Sequence, residues 1–465
     1  MLTTPPELTR EHLLAAVAAL LARHDALRLR LERPGTGPVL RVRPQVPAEE
    51  VVTHVRVDDA AAAVAGVHEG ARSELDPDEG AMLRVVWCDA GPERPGRLVL
   101  AAHHLAVDAV SWPILVADLV AAHRGARGGL AALPTPRTGY ARWAATLAAA
   151  GGDPRWTDQR GYWARLLEHP APQLSTVRPD PRRDVLATAR TRSFILPAED
   201  TTTLVRDAAG AYSATVPDVL CSALALALRE WLRRRGRPLD GPVLLDLEGH
   251  GRHDDLVGGL DLTETVGWFT VLYPVAIDGP DAHWPDLLGG GAVVGRALRE
   301  AKESLHAVPD HGAGFGLLRH GPRPDPGLVA ADTPRLALNY LGRVGGPDPA
   351  LPVDRVPAWS TAPDAPGFPA GDPGLPFAHP IEVLAAVQDG PGGPVLAVDL
   401  TWPSALLDDA VVEELATLWT EALRAHATHL RAAEGGLTPS DLRSVALSQD
   451  EIDAVTARLR AVGGI

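Results

Sequence analysis

Residues 98–120 constrain the fold more than any other stretch of this sequence. Leu98-Val99-Leu100-Ala101-Ala102 is a continuous apolar run of the length of a buried strand. It ends at His103-His104. A short segment with Asp108 follows, and Ser111-Trp112-Pro113 then opens a helical pattern, Ile114-Leu115-Val116-Ala117-Asp118-Leu119-Val120. Ser111 is expected to be the N-cap, and proline is accepted in a first helical turn. A strand, a turn and a helix in this order carry two imidazoles to a sheet edge. α/β architectures place their chemistry at such edges.

The chain of 465 residues is too long for one ordinary core and predicts two or three domains. A formal charge of −15 makes nucleic acid or an anionic membrane a poor main partner. Lys302 is the only lysine, and arginine carries the remaining positive charge. Cys88 and Cys221 lie in apolar runs and read as buried free thiols. The N-terminus lacks the basic start and apolar core of a signal peptide, and no run approaches the ~20 apolar residues that span a bilayer. The expectation is a soluble, cytoplasmic, monomeric protein.

The order of elements predicts α/β folding in both halves. In the first half, helices are expected at 9–24 (with Thr9 as N-cap), 59–74, 111–124, 138–150 and 157–168. Strands are expected at 24–31, 40–43, 82–87 and 98–103. The proline-rich, polar residues 170–183 read as a linker. In the second half, strands are expected at 191–196, 243–247, 269–275, 336–340, 381–387 and 395–401. Helices are expected from 197, at 216–235 with Gly236 at its C′ position, and at 284–305, 408–431 and 449–461. Residues 312–316 read as a flexible glycine loop, and 343–378 as a long ordered loop or crossover. This predicts two α/β lobes, 1–175 and 176–465, with a cleft between them.

Several residue types in this pattern suit proton transfer. An imidazole accepts or donates a proton near neutral pH, which makes His104 a candidate acid or base. Taken alone, a histidine is more often one satisfied by its neighbouring backbone. Adjacent strand residues face opposite ways, so one of His103 and His104 works while the other orients or packs. A metal reading of His103, His104 and Asp108 lacks the helical spacing of the common zinc motif. Asp108 reads instead as a turn or salt-bridge residue. Glu248 closes the apolar run 243–247 and precedes Gly249-His250-Gly251-Arg252, where glycine permits a sharp bend. No Lys-Ser/Thr pair follows, so this is not a phosphate loop. Trp268, Asn339 and Tyr340 lie at strand ends, and Tyr340 is a candidate hydrogen-bond donor to a developing enolate. The arginines of 229–237 are candidates for docking an acidic partner or simply for solvation of a helix end.

Taken together, these segments resemble the epimerization domain of nonribosomal peptide synthetases, a branch of the condensation-domain superfamily. The carrying residues run in family order. They are His103-His104-Leu-Ala-Val-Asp108-Ala-Val-Ser111-Trp112, Val216-Pro-Asp218-Val-Leu-Cys-Ser, and Glu248-Gly-His-Gly-Arg252. Then come Thr265-Val-Gly-Trp268-Phe-Thr270, residues 309–316, Asn339-Tyr340-Leu-Gly342 and Leu437-Thr-Pro-Ser-Asp441. The resemblance implies two chloramphenicol-acetyltransferase-like lobes arranged as a V-shaped pseudo-dimer. It implies L-to-D inversion at Cα of an aminoacyl or peptidyl thioester held on the phosphopantetheine arm of a peptidyl carrier protein. His104 and Glu248 would be the acid/base pair. His103, Asp108, Ser111, Trp112, Trp268, Asn339 and Tyr340 would support the site or bind substrate, with no metal and no cofactor bound by the domain itself. A condensation-type amide-forming acyltransferase and an inactive carrier-docking module are the alternatives. Two departures bear on this. The family has glycine where this chain has Ala109, which matters if the turn needs a positive φ. The family's opening strand also reads as missing ahead of the first helix, which would expose a sheet edge.

Overall fold

In this computed structural model the described residues are all but 36, 130, 173, 176, 257, 346–356, 364, 366–370, 391, 433–434, 443–444, 446 and 462–465. The strands in chain order are β1 Leu2–Thr3, β2 Leu29–Glu32, β3 Val39–Val42, β4 Val52–Arg56, β5 Leu83–Asp89, β6 Arg97–Ala102, β7 Ala189–Leu196, β8 Val243–Gly249, β9 Val271–Ile277, β10 Leu336–Val344, β11 Ile381–Gly390 and β12 Gly393–Pro403. They belong to two α/β units, which match the mixed fold expected from the sequence.

The first unit comprises residues 1–153, 250–270 and the described part of 346–369. Its sheet has the order β1-β6-β5-β4, with β4 and β5 parallel and the other pairs antiparallel. β2 and β3 form a separate hairpin. Helix Arg10–Arg23 starts at Thr9, whose hydroxyl accepts from the His12 amide. Leu13, Val17, Leu20 and Leu21 recur at helical spacing and are buried against Leu115 and Leu119 of helix Ser111–Arg127 and against Val85 and Leu98 of the sheet. Each such leucine contributes roughly 1.5–3 kcal/mol by leaving water.

The second unit comprises residues 154–249, 271–345 and 370–465. Its sheet has the order β7-β12-β11-β10-β8-β9. The central strands β8, β10 and β11 are parallel, and the flanking pairs are antiparallel. Buried on both faces, parallel strands read as apolar runs, as β8 does. Helix Val216–Arg234 opens with a reciprocal capping box between Thr215 and Asp218, and Gly236 follows it at φ +65°. Val219, Leu220, Ala223, Leu224, Ala227 and Leu228 of this helix are fully buried. Among the described residues, no single helix is long and apolar enough to cross a membrane.

Several expectations are corrected. The opening strand is present: Leu2 pairs with Leu98, and Thr3 exchanges hydrogen bonds with the 359–360 segment, so that sheet edge is covered. The units are not two consecutive halves divided at 175. Residues 170–183 lie inside the second unit, and the chain passes from one unit to the other after residues 153, 249, 270, 345 and 369. The helix expected over 284–305 is two helices, Trp284–Leu288 and Ala292–His306, because three glycines interrupt it. At Gly290, φ is +69° and a Cβ would lie 2.9 Å from the His429 amide. The glycines of 312–316 do not make a flexible loop. Gly312 precedes helix Ala313–His320 at φ +83°, and a Cβ there would overlap the Tyr273 ring at 2.1 Å. The strand expected from Phe269 starts at Val271. The first expected strand is a 3₁₀ turn, Asp25–Arg28, followed by β2. Much of the crossover expected over 343–378 lies outside the described residues.

Two buried charged pairs hold the second unit. Lys302 is 1% exposed, and its ammonium donates to Asp441 Oδ1 at 2.6 Å and to the Tyr212 carbonyl at 2.8 Å. His379 Nε2 lies 2.7 Å from Asp246 Oδ2. Burial acts to lower the His379 pKa, but the hydrogen bonds and charges of Asp246 and Glu382 outweigh it and raise it to about 9. Lys302→Met strands the Asp441 carboxylate. It is expected to cost about 3 kcal/mol in chemical denaturation. Raised in the fold above its unfolded value, the His379 imidazolium contributes stability that is complete below pH 6.5 and disappears as pH rises toward 9. The melting temperature is expected to fall as pH rises across that window in the wild type and to change less in His379→Gln.

Candidate functional site

The histidine motif is built where β6 stops. His103 donates its amide to the Met82 carbonyl at 2.9 Å, and the Ala106 amide closes a turn onto the His103 carbonyl at 2.9 Å. The Leu105 amide donates to His103 Nδ1 at 3.2 Å, which leaves the ring proton of the neutral imidazole on Nε2. Burial, with a smaller contribution from His104, lowers the His103 pKa. His104 is the next residue in the turn and is exposed. Its ring centre lies 5.3 Å from that of Trp268, tilted by 53°.

Asp108 is the hub of the first unit. Its side chain is 3% exposed and pairs with Arg252, itself 6% exposed, at 2.8 Å. Asp108 Oδ1 also accepts from the Ser111 amide at 2.8 Å and from the Ser111 hydroxyl at 2.7 Å. Oδ2 accepts from the Phe269 amide at 3.3 Å. A carboxylate so engaged is a scaffold rather than a metal ligand. Arg252 is aimed inward by Gly251, at φ +64°, and its guanidinium lies 4.0 Å over the Phe269 ring. Its Nη1 donates to the carbonyls of Leu262 and Thr265.

Ser111 is not the N-cap. It is the first helical residue and fully buried; Val110 is the N-cap, and Asp108 accepts from the Ser111 amide. The Ser111 hydroxyl accepts from the Gly267 amide at 3.1 Å and lies 3.0 Å from the Gly267 carbonyl. The next residue, Trp112, packs half-buried on the core of the unit. Among the described residues, the non-glycine positions with positive φ are Ser213, Asp310, His311 and Trp359. Ala109 is not among them, so this turn does not need glycine.

Glu248 ends β8 in the second unit. By strand alternation it shares a face with Asp246, while Leu247 enters the core from the other. β10 runs parallel beside it, with Leu338 opposite Leu247. That register sets Asn339 beside Glu248, and Asn339 Nδ2 donates to Glu248 Oε2 at 2.6 Å. Glu248 is exposed and Asn339 half-buried. Tyr340, the next residue, belongs to the opposite face and packs on the core, and burial raises its pKa. The arginines near the end of helix Val216–Arg234 are paired: Arg233 and Arg234 with buried Glu230, and Arg235 with Glu414.

The structure therefore brings His103, His104, Asp108, Ser111, Trp112 and Trp268 together in one unit, and Glu248, Asn339 and Tyr340 in the other. Sequence reasoning missed Arg252 and Tyr140 as site residues. Arg252 stands 144 positions from its partner, and its only signal is its place after a glycine turn. Removing either member of the Asp108–Arg252 pair strands a buried charge. Asp108→Asn and Arg252→Met are each expected to destabilise by roughly 3–5 kcal/mol, and the double variant by less than their sum. Denaturation of the four proteins measures that coupling.

The condensation-domain family profile matches residues 1–325. One of the linear gramicidin synthase proteins of Brevibacillus parabrevis is 32% identical over 97% of this chain and 8% of its own length. Chondramide synthase cmdD of Chondromyces crocatus is 31% identical over 99% of this chain and 11% of its own. The chain thus spans about a tenth of the length of these curated relatives. The solved epimerization domain from the third module of tyrocidine synthetase B superposes with a TM-score of 0.74 at 23% identity, covering 93% of this chain and 92% of that one. The first condensation domain of the calcium-dependent antibiotic synthetase superposes at 0.60 and 18% identity, covering 97% and 92%. The chain belongs to the condensation-domain family.

Proposed function

We propose that this chain epimerizes, L to D at Cα, an aminoacyl or peptidyl thioester presented on the phosphopantetheine arm of a peptidyl carrier protein. One base removes the α-proton, and the C–H electrons form the double bond of an enolate whose charge rests on the thioester oxygen. An acid on the opposite face returns a proton to Cα and sets the other configuration. Two groups are needed, one for each face, and His104 and Glu248 are assigned these roles. In this reading the domain acts as a monomer in the cytoplasm. It uses no metal and binds no cofactor of its own, because the pantetheine belongs to the carrier.

The observation that carries the reading is the state of Glu248. It is a carboxylate exposed near the end of a buried strand and held by the Asn339 amide. Amide formation assisted by one histidine has no use for an oriented second carboxylate. Proton return to the opposite face does. His104 has the matching character in the first unit: exposed, on a turn fixed by the buried Asp108.

The test is α-deuterium exchange on an aminoacyl carrier protein in heavy water, with and without an amine acceptor. Exchange and a mixture of configurations are expected. His104→Ala and Glu248→Gln should each slow exchange by roughly 10²–10⁴-fold. Asn339→Ala should have a smaller effect, roughly 2- to 10-fold, the worth of one hydrogen bond. Exchange unaffected by both substitutions would overturn the pair. A new amide formed with the acceptor would replace the reading by condensation, and carrier binding without exchange would replace it by a docking module.

A further inference from the structure

Tyr140 lies outside the segments that carry the family resemblance, yet it contacts the site. It is the first residue of helix Tyr140–Ala150. Asp25 accepts from the Tyr140 and Ala141 amides, each at 2.9 Å, which fixes where the helix begins. The phenol ring stands edge-on to Phe269, with centres 5.4 Å apart, and is stacked with Trp143. It also lies directly on Gly267, where a Cβ would come within 2.2 Å of Tyr140 Cδ2. The hydroxyl donates to the Trp268 carbonyl at 3.1 Å.

Three side chains therefore grip three consecutive residues: Ser111 holds Gly267, Tyr140 holds Trp268, and Asp108 holds Phe269. Trp268 is 41% exposed, so packing accounts for only part of its placement. Its place beside His104 is set through its backbone. Asp108 and Ser111 act on the residues either side of Trp268, whereas Tyr140 binds Trp268 itself.

We propose that Tyr140 is a positioning residue: by clamping the Gly267–Trp268 backbone it sets the Trp268 indole against His104 and so orients the imidazole. The indole restricts rotation of the imidazole and shields one side of it from water. The catalytic consequence rests on the proposed role of His104, but the geometric claim does not.

The experiment observes the His104 ring by NMR in the full chain, with His104→Gln supplying the assignment. The indole ring current displaces these resonances in the wild type, and Trp268→Ala is expected to remove the displacement. Tyr140→Phe keeps the ring on Gly267 and deletes only the hydroxyl. It is expected to move the His104 resonances part of the way toward their Trp268→Ala positions, with the amide spectrum otherwise retained. Turnover should fall roughly 2- to 10-fold, with KM little changed. Should Tyr140→Phe fail to fold, fluorotyrosine labelling alters the same hydrogen bond and must move the same resonances. The proposal is overturned if those resonances stay at wild-type positions in Tyr140→Phe, or if Trp268→Ala leaves them unmoved. Absence of α-exchange in the wild type would sink the epimerase reading alone and leave the resonances to decide this one.

Discussion

The buried ion pair between Asp108 and Arg252 is the interaction on which the first unit depends. A carboxylate and a guanidinium this far from water are tolerable only when the opposite charge and hydrogen bonds replace most of the lost water. Asp108 meets that requirement with Arg252, two groups of Ser111 and the Phe269 amide. Arg252 meets it at both terminal nitrogens, through Asp108 and the backbone carbonyls of Leu262 and Thr265, and rests on the face of Phe269, while its buried Nε has no hydrogen-bond partner among the described residues. The arrangement draws residues 250–270 into the unit that carries the histidines, although both flanking strands, β8 and β9, belong to the other sheet. Val266 enters the core, and the Thr265 hydroxyl bonds the Thr138 carbonyl at 2.8 Å.

The second unit reaches a comparable result by sheet register. Parallel pairing of β8 with β10 sets Asn339 against Glu248. Two residues earlier on β8, Asp246 is buried and bonded to His379. One strand thus carries a carboxylate that serves the scaffold and a carboxylate open to solvent. The same division holds for the histidine motif, where His103 is committed to a turn and His104 is exposed. Proton-transfer groups must reach a substrate, whereas the groups that aim them do so best when buried and fully bonded.

Much of the fold was legible in the sequence because its signals are local. Helical periodicity marks 10–23 and 409–432, Thr9 and Thr215 mark helix starts, and apolar runs mark β6 and β8. The signals failed where distant groups override them. Ser111 is a good cap by type, but the helix begins on it: Val110 is the cap, Asp108 accepts the Ser111 amide, and the Ser111 hydroxyl accepts from the Gly267 amide. Glycines 312–316 read as flexible, but Gly312 admits the Tyr273 ring and a helix follows. The proline-rich 170–183 stretch is punctuation within a unit rather than between units.

For the site, the sequence alone determined the candidate proton-transfer residues, His104 and Glu248, because strand-end chemistry and ordered motifs are properties of short segments. Tertiary structure decided what holds them. The Asp108–Arg252 pair, the Asn339 bond to Glu248 and the Tyr140 grip on Trp268 join residues that stand 91 to 144 positions apart. Such contacts depend on which faces and registers the folded sheets bring together, and no local pattern encodes that distance.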